Sequence, residues 1–299
     1  MKSLVSETIQ PVGDGMWLRL MPGTFVVLWA SGFIGGKLGL LYAEPATFLL
    51  LRFALVVALM LPLALLWRAP WPATRRQVAH IGVAGVLIQS CYLGGVFAAI
   101  HHGISAGLIA LIVGLQPVLT AFVAAPLLGE RVSPRQWAGL LLGLAGVALV
   151  VMQNTNLSGV TPVSAGFALL ALAGITMGTM YQKRFCGSFD LRAGSVIQFV
   201  AAGIALAPFA LLFETREVQW SPALLFALGW LVLVLSIGAI SLLALLIRRD
   251  AVTKVVSLMY LTPPVTAVMA WLVFGETLSI QALLGLGLAA VGVAIVVRH

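Results

Sequence analysis

Residues 115–130 read LQPVLTAFVAAPLLGE, and residues 261–276, which lie 146 positions further along the chain, read LTPPVTAVMAWLVFGE. Leucine, proline, threonine, two alanines and the closing Gly-Glu agree at this single offset, and the agreement continues to Gly139 and Gly285. An abundance of Leu, Val and Ala does not explain matches in Pro, Thr, Gly and Glu. The chain therefore contains an internal duplication.

The composition is that of a membrane protein. Apolar residues make up 61% of the 299 positions and charged residues only 9%, against about 45–50% and about 25% in soluble domains. Charge-free intervals such as 193–213 and 255–275 are close to the length that crosses a bilayer core of about 30 Å. We therefore expect an all-α polytopic protein, with residues 1–299 forming a single membrane domain in the lipid bilayer.

Ten transmembrane helices are predicted from the apolar intervals and from the Pro and Gly residues that interrupt them. Ser133 and Pro134 read as an N-cap followed by proline at the first helical position, with Gln136 completing a capping box. Ser279 occupies the same place in the second copy. The predicted helices lie near residues 22–41, 46–67, 78–100, 104–128, 134–152, 163–184, 191–213, 222–247, 251–274 and 279–297.

The positions of Lys and Arg predict the orientation of the chain. In a ten-helix arrangement, 14 of the 17 Lys and Arg residues fall on one side of the membrane, and only Lys37 and Arg216 fall on the other. Positive residues are enriched on the cytoplasmic side of membrane proteins. Both termini are therefore expected to be cytoplasmic, and the net charge of +8 is explained by topology rather than by a nucleic-acid partner.

The duplicated unit is five helices long. The same offset pairs Phe53 with Phe199 and also matches earlier positions, so the two units cover residues 22–152 and 163–297. An odd number of spans inverts the second unit relative to the first. Inverted repeats are a recurring architecture of secondary transporters, whose substrate site lies near the membrane midplane between the repeats.

The order of several motifs carries a family resemblance. The first half contains WASGF at residues 29–33, followed by Lys37, Pro45, Phe48 and Arg52. Each half ends in a proline-bearing helix, a Gly-Glu turn and a glycine-rich last helix. With its two repeats and its length, the chain resembles the EamA-type transporters of the drug/metabolite transporter superfamily from about residue 22 to 297.

The resemblance implies a function as well as a fold. Within the superfamily the chain looks most like bacterial inner-membrane exporters of amino acids, including neutral and aromatic ones, and of related small metabolites. The second half departs from the pattern, with Gln198 at the position of Arg52 and Ile175 at the position of Trp29. A role that needs both basic residues is not expected.

Two charged residues are candidates for gating or structural roles. Arg52 lies about 10 Å inside the second helix at 1.5 Å per residue, and a charge at that depth needs a partner or water. Glu44 or a helix-end carbonyl is a candidate partner, and a substrate or gate role stays open beside the structural one. Lys37 lies near the outer end of the first helix, where its side chain can extend to solvent.

The prolines of the duplicated segment are the next candidates. Pro117 and Pro263 are predicted in mid-helix, where each removes a hydrogen bond and frees a carbonyl. A freed carbonyl can hold the ammonium group of an amino acid, and a kink that merely fits the bundle is the alternative. The complete set of candidate substrate-binding residues is Trp29, Ser31, Gln89, Tyr92, Gln116, Pro117, Thr120, Thr176, Tyr260, Thr262 and Pro263.

The two Gly-Glu turns favour a structural role, because Glu130 and Glu276 lie at helix ends. No Asp or Glu lies near the middle of a predicted span, although membrane carboxylates are the usual proton relays. No metal-ligand spacing, nucleophile motif or phosphate-binding loop occurs, so we expect no cofactor and no enzymatic activity.

We therefore predict an inner-membrane secondary transporter that exports amino acids and related metabolites by alternating access. Its expected partners are a small-molecule substrate and the bilayer, and its expected state is a monomer. A membrane-embedded lipid-modifying enzyme and a passive metabolite channel are the alternatives. The enzyme would need charged or histidine residues clustered at one interface, and the channel would lack counterflow.

Overall fold

Ten helices follow one another in the part of the chain that the computed structural model describes, which comprises residues 14–104, 109, 112–152, 160–187, 189–274 and 280–298. In chain order they are α1 (Asp14–Gly39), α2 (Pro45–Leu66), α3 (Arg75–His101), α4 (Gln116–Leu128), α5 (Pro134–Met152), α6 (Pro162–Cys186), α7 (Leu191–Phe213), α8 (Pro222–Arg249), α9 (Val252–Ser257, Leu258–Leu261 and Thr262–Phe274) and α10 (Ile280–Arg298).

These helices coincide with the ten predicted segments, apart from their ends. α1 begins eight residues before the predicted start and α3 three residues before it. The prediction for the fourth helix began at residue 104, whereas α4 begins at Gln116. Residues 105–108, 110 and 111 lie outside the described part, so the earlier portion of that prediction stays untested.

Local capping explains where several helices begin. The backbone N–H of Gln136 donates to Ser133 Oγ at 3.2 Å, and the N–H of Ser133 donates to Gln136 Oε1 at 2.9 Å. The capping box predicted at the start of α5 is therefore confirmed. A second capping box joins Thr161 and Ser164 at the start of α6. Ser279, the predicted counterpart of Ser133, lies outside the described residues.

Two helices widen into π-helical turns near the middle of their length. The π segments are Val86–Gly94 in α3 and Leu231–Ala239 in α8. An offset of 146 residues brings them to the same place in the two repeats, within one residue. Because π turns expose backbone and redirect side chains, they are often found at functional sites. Both π segments contribute residues to the cavity described below.

Five helices are long and apolar enough to cross a membrane: α2, α3, α6, α7 and α8. Among the described residues, three shorter apolar segments also occur, at Leu20–Gly36, Gln116–Leu128 and Leu283–Arg298. Large apolar side chains such as Leu66, Leu212 and Ile280 are exposed on the outside of the bundle. That distribution is expected of a multi-pass protein whose outer surface faces lipid.

Helices α5 and α10, which occupy the same position in the two repeats, pack against each other in opposite directions. A Cβ added at Gly139 would lie 2.8 Å from the carbonyl oxygen of Gly292, and one added at Gly146 would lie 2.6 Å from that of Gly285. Residue numbers therefore rise along α5 as they fall along α10. The two contacts are equivalent under the repeat offset of 146 residues. Gly139 corresponds to Gly285 and Gly146 corresponds to Gly292, so applying the offset to one contact gives the other.

Helices α2 and α7 form the second antiparallel pair of equivalent helices. The rings of Phe53 and Phe199 have centroids 5.4 Å apart. Nearer the end of α2, Ala64 packs in one cluster with Ala193 at the start of α7. The sequence match between the two halves is thus accompanied by packing that a two-fold rotation would reproduce.

At the end of the bundle where α2 begins and α7 ends, a glutamate from the second half caps the first. The Glu214 carboxylate accepts hydrogen bonds from the backbone N–H groups of Ala46 and Thr47, each at 2.7 Å, and from Thr47 Oγ1 at 2.7 Å. An acceptor at the start of a helix satisfies donors that have no partner within the helix. Glu214 therefore fixes the start of α2 to the end of α7.

Glu44 makes the reciprocal connection. Its Oε2 accepts from the backbone N–H and the hydroxyl of Thr215, both at 2.6 Å. The Thr215 hydroxyl is the largest of the causes that hold the Glu44 pKa below its usual value. An isolated β-bridge between Ala43 and Val218 closes the same junction. We call the crossed contacts of Glu44 and Glu214 the glutamate latch.

Candidate functional site

A cavity with two lobes lies where helices of the two halves meet. The first lobe is lined by α1, α2, α3 and α8. The second is lined by α1, α3, α9, the start of α4 and the residues just before it. Trp29, Tyr92 and Val96 line both lobes.

Arg52 is the charged residue of the first lobe. Its side chain is 3% exposed, and its Nε donates a hydrogen bond to Ser236 Oγ on α8 at 2.8 Å. The expectation that Glu44 or a helix-end carbonyl would satisfy Arg52 is wrong. Glu44 precedes the first turn of α2, and its carboxylate bonds to the loop after α7 instead.

Gln89 lies on the π segment of α3 and lines the same lobe as Arg52. Its side chain is completely buried, and neither its Oε1 nor its Nε2 has a hydrogen-bond partner among the described residues. Buried polar groups in folded proteins nearly always have partners. An unpaired amide that lines a cavity is therefore suited to a ligand or to bound water.

The second lobe has unpaired polar atoms at two equivalent positions of the repeats. Gln116 on α4 and Thr262 on α9 are separated by the repeat offset, and both line the lobe. Gln116 Nε2 and Thr262 Oγ1 are buried without a partner among the described residues. This end of the cavity therefore offers neutral polar groups, whereas the first lobe offers a positive charge.

The two prolines of the duplicated segment each lie just after a change in the helical path. Pro117 is the second residue of Gln116–Leu128, and Pro263 is the second residue of Thr262–Phe274. Pro263 lies inside α9, directly after the 3₁₀ turn over Leu258–Leu261. The predicted mid-helix position is wrong for Pro117, because the chain turns at Gly114 and Leu115 just before it. Proline is favoured there, since the first turn needs no N–H donor. Pro263 lines the second lobe.

Aromatic rings form the wall that the two lobes share. Trp29 and Tyr92 stack with a centroid distance of 6.3 Å and an interplanar angle of 10°. Phe25 packs on the other side of Trp29 with centroids 5.3 Å apart. The wall is therefore an apolar surface between a charged lobe and a neutral polar one.

Some sequence candidates lie near the cavity without lining it. Thr120, Thr176 and Tyr260 are buried with hydroxyl groups that have no partner among the described residues, and neither lobe includes them. Ser31 is satisfied, because its hydroxyl donates to the Leu28 carbonyl at 2.7 Å and accepts from Trp230 Nε1 at 3.0 Å. The side chain of Lys37 lies outside the part of the molecule that the structure describes.

Several contacts near the site were not predicted. Gln198, which replaces Arg52 in the second repeat, donates to Gln182 Oε1 at 3.1 Å, so the corresponding region is neutral and satisfied. Ser236 lies in an apolar stretch and has no motif of its own. The sequence signal that marks Ser236 is its counterpart Ser90, 146 positions earlier. Both halves have a serine at this position of a hydrophobic helix.

The Gly-Glu turn of the first repeat has a structural contact. The Glu130 carboxylate accepts hydrogen bonds from the backbone N–H groups of Val252 at 3.0 Å and Thr253 at 3.5 Å, at the start of α9. This agrees with the interpretation of Glu130 as a turn residue. Glu276 lies outside the described residues. Neither lobe of the cavity is lined by an Asp or a Glu that the structure describes.

Apolar helices of membrane-spanning length, packed around a buried cavity with unpaired polar groups, define a multi-pass membrane transport protein. The model of the EamA-like transporter family matches residues 21–152 and 163–298. The chain belongs to this family, and it is a transporter rather than an enzyme. The two matches coincide with the two halves found from the sequence.

Individual proteins of similar sequence agree with this assignment, and a solved structure has a similar fold. The chain is 28% identical over 272 residues to YedA, named as an uncharacterized inner membrane transporter of Escherichia coli (strain K12), over 90% of this chain and 87% of that one. It is 26% identical over 281 residues to a probable amino-acid metabolite efflux pump of Salmonella typhimurium, over 90% and 91% of the two chains. A solved crystal structure superposes with a TM-score of 0.74 at 19% identity, covering 93% of this chain and 96% of that one. The chain is a multi-pass inner-membrane transporter.

Proposed function

We propose that the protein exports amino acids and related small metabolites across the bacterial inner membrane by alternating access. The observation that carries this proposal is the cavity between the two halves. Its lining combines the Arg52 guanidinium, the unpaired amides of Gln89 and Gln116, and the Trp29–Tyr92 wall. A small molecule with a polar head group and an apolar portion matches this combination.

The substrate class is also supported by a relative. The Salmonella protein is named as a probable amino-acid metabolite efflux pump, and its identity of 26% extends over most of both chains. We carry its substrate class and its export direction to this chain as a proposal. Trp29, Gln89, Tyr92, Gln116, Thr262 and Pro263 would contact the substrate, and Thr120, Thr176 and Tyr260 would support them.

The proposed architecture is ten membrane spans in two inverted repeats, residues 22–152 and 163–297. The antiparallel packing of α5 on α10 and of α2 on α7 supports it. If these helices cross the bilayer, a two-fold rotation that exchanges antiparallel partners has its axis in the membrane plane, which is the geometry of an inverted repeat. The Lys and Arg distribution supports cytoplasmic termini, and we propose that the chain works as a monomer.

The two ends of the bundle differ, as alternating access requires. The glutamate latch joins the ends of α2 and α7 on the proposed outer side. The counterpart of Glu44 on the other side is Asp190, whose carboxylate instead bonds to the backbone N–H groups of Arg192 and Ala193 in its own helix. The latch therefore favours a closed outer end in this conformation.

Counterflow with purified protein in liposomes tests the proposal. Liposomes loaded with millimolar unlabelled L-phenylalanine, L-leucine or L-alanine would accumulate the matching labelled amino acid transiently above its external concentration. Protein-free liposomes are the control. Uptake that only equilibrates would indicate a passive channel, and no uptake of any of a full set of amino acids, under any ion gradient, would contradict the proposed function.

A further inference from the structure

Arg52 has no counter-ion among the residues that the structure describes. Its Nε bonds to the neutral Ser236 hydroxyl, and its two Nη groups form no hydrogen bond with any residue that the structure describes. It also forms no ion pair with a described carboxylate. A buried charge in a membrane protein is costly unless it is paired or hydrated. The described protein groups therefore leave the charge of Arg52 without a counter-ion.

Four of the described carboxylates are engaged elsewhere. Glu44 and Glu214 form the latch, Glu130 caps α9, and Asp190 pairs with Arg192. All four lie at helix ends. None of these four lines either lobe of the cavity, and neither do Glu217 and Asp250. Arg52 therefore has no carboxylate partner among the described residues, and the carboxylate of a bound molecule can take that place.

The position and the neighbours of Arg52 are suited to a planar anion. A guanidinium presents its N–H donors in a fork that matches the two oxygens of a carboxylate. Ser236 uses only the Nε donor, which holds the side chain in place and leaves both Nη groups for a ligand. The unpaired Gln89 amide lines the same lobe and adds a further donor.

We infer that Arg52 binds the carboxylate of the transported molecule, and that the protein selects carboxylates with an apolar portion over the corresponding amides and amines. The apolar portion lies against the Trp29–Tyr92 wall. The unpaired polar atoms of Gln116 and Thr262 in the second lobe contact the remaining polar group of the substrate. This inference rests on the proposed transport function.

The repeat symmetry indicates a single carboxylate site. The position equivalent to Arg52 is occupied by Gln198, which is neutral and already bonded to Gln182. The sequence difference between the two halves therefore makes the cavity charged on one side only. A substrate with one carboxylate fits this arrangement, and a dicarboxylate would leave its second charge without a basic partner.

Matched pairs of ligands test the inference on the wild-type chain. The pairs are L-phenylalanine with L-phenylalaninamide, L-leucine with L-leucinamide, and 3-phenylpropionate with 2-phenylethylamine. Binding is measured by thermal shift on the purified protein, and exchange by counterflow in liposomes. We expect each acid to bind at least about tenfold more tightly than its partner, because hydrogen bonds to a charged group are stronger than neutral ones.

Two variants assign the preference to the guanidinium. In Arg52→Gln, the affinities of the acid and of its amide or amine partner should lie within about threefold of each other, since the charge is lost. Arg52→Lys is the matched control, because it keeps the charge while losing the fork, and it should retain part of the preference. The acid-to-amide ratio is read within each variant, so a change in the amount of folded protein does not affect it.

Several results would overturn the inference. The inference would be overturned if, in the wild type, the amides or amines bound as tightly as the acids, or if none of the acids bound. A preference that survives in Arg52→Gln would also overturn it. Exchange of the amides and amines as readily as the amino acids would overturn the inference and leave the proposed export of amino acids intact, whereas no binding and no exchange in either set would remove both the inference and the proposed function.

Discussion

Phe53 and Phe199 occupy the same position in the two repeats, and their rings pack against each other at a tilt of 55°, with centroids 5.4 Å apart. Two residues related by a two-fold rotation contact each other only where the rotation axis passes between them. In the proposed inverted repeat, the contact would place the pseudo-two-fold axis between α2 and α7. The same operation would relate the paired glycines of α5 and α10.

The close approach of α5 and α10 predicts a pair of opposite effects within one helix. A Cβ at Gly292 would lie 2.5 Å from the backbone N of Gly143, whereas a Cβ at Gly287 would meet nothing within 4 Å. Gly292→Ala should destabilise the protein by about 1–3 kcal/mol, because the helices have to separate. The matched control Gly287→Ala should be neutral or slightly stabilising, since alanine favours helix.

Thermal unfolding of the purified protein in detergent measures both glycine variants. A melting temperature for Gly292→Ala that equals that of Gly287→Ala would contradict the packing of α5 on α10. That packing is one of the two supports for the inverted repeat. The result would therefore bear on the whole proposed architecture.

The glutamate latch predicts a loss of stability when Glu214 is neutralised. Glu214→Gln removes the negative charge that accepts from the N–H groups of Ala46 and Thr47. Hydrogen bonds to charged groups contribute about 1.5–3 kcal/mol, so we expect a loss of this order in the free energy of unfolding. Glu217→Gln, in the same loop and exposed, is the control and should have no measurable effect.

The latch also predicts a dependence on pH. Hydrogen bonds from Thr215, first of all from its hydroxyl, lower the pKa of Glu44 below its usual 4.5. A carboxyl with a lowered pKa in the folded state adds stability above its unfolded pKa and loses it as the pH falls through its folded pKa. The melting temperatures of the wild type and Glu44→Gln should differ at pH 7 and converge below about pH 4.5. A difference that is constant over this range would argue against the contact.

Removal of the Tyr260 hydroxyl distinguishes a role of this residue in ligand binding from a role in packing. Its ring packs closely on Gly143, and its hydroxyl has no partner among the described residues. Tyr260→Phe should leave the melting temperature unchanged or raise it, because an unpaired buried polar group is unfavourable. If the hydroxyl contacts substrate or bound water, the variant should lower counterflow several-fold.

Tyr181→Phe is a suitable control for the tyrosine experiment. The Tyr181 hydroxyl is hydrogen-bonded to His80 at 2.7 Å and lines neither lobe of the cavity. That variant should lower stability slightly and leave counterflow per folded molecule unchanged. Unchanged counterflow in Tyr260→Phe would restrict Tyr260 to packing.

The repeated segments make much of the fold predictable from the sequence. The apolar intervals predicted the ten helices, and Ser133 predicted a capping box that the structure contains. These features depend on residues within one or two helical turns of each other. The offset also related the glycines that contact each other between α5 and α10.

Other features depend on contacts that a single sequence does not record. Arg52 bonds to Ser236, which is 184 positions away, and nothing in either helix predicts this pairing. Pro117 was placed in mid-helix because the apolar pattern runs through it, yet the chain turns just before it. The π segments are not predicted for a similar reason, because one extra residue in a turn is not visible in the hydrophobic periodicity of the sequence.

The central claim is that one cavity between the repeats opens alternately to the two sides of the membrane. Val113 lines the second lobe, so Val113→Cys, combined with Cys91→Ala and Cys186→Ala, provides a single reporter thiol in the cavity. The measurement is its modification in liposomes by a membrane-impermeant thiol reagent applied from either side, with and without the amino acid that counterflow identifies. We predict labelling from both sides and protection by that amino acid. Labelling from one side only, or labelling that the amino acid leaves unchanged, would contradict the account.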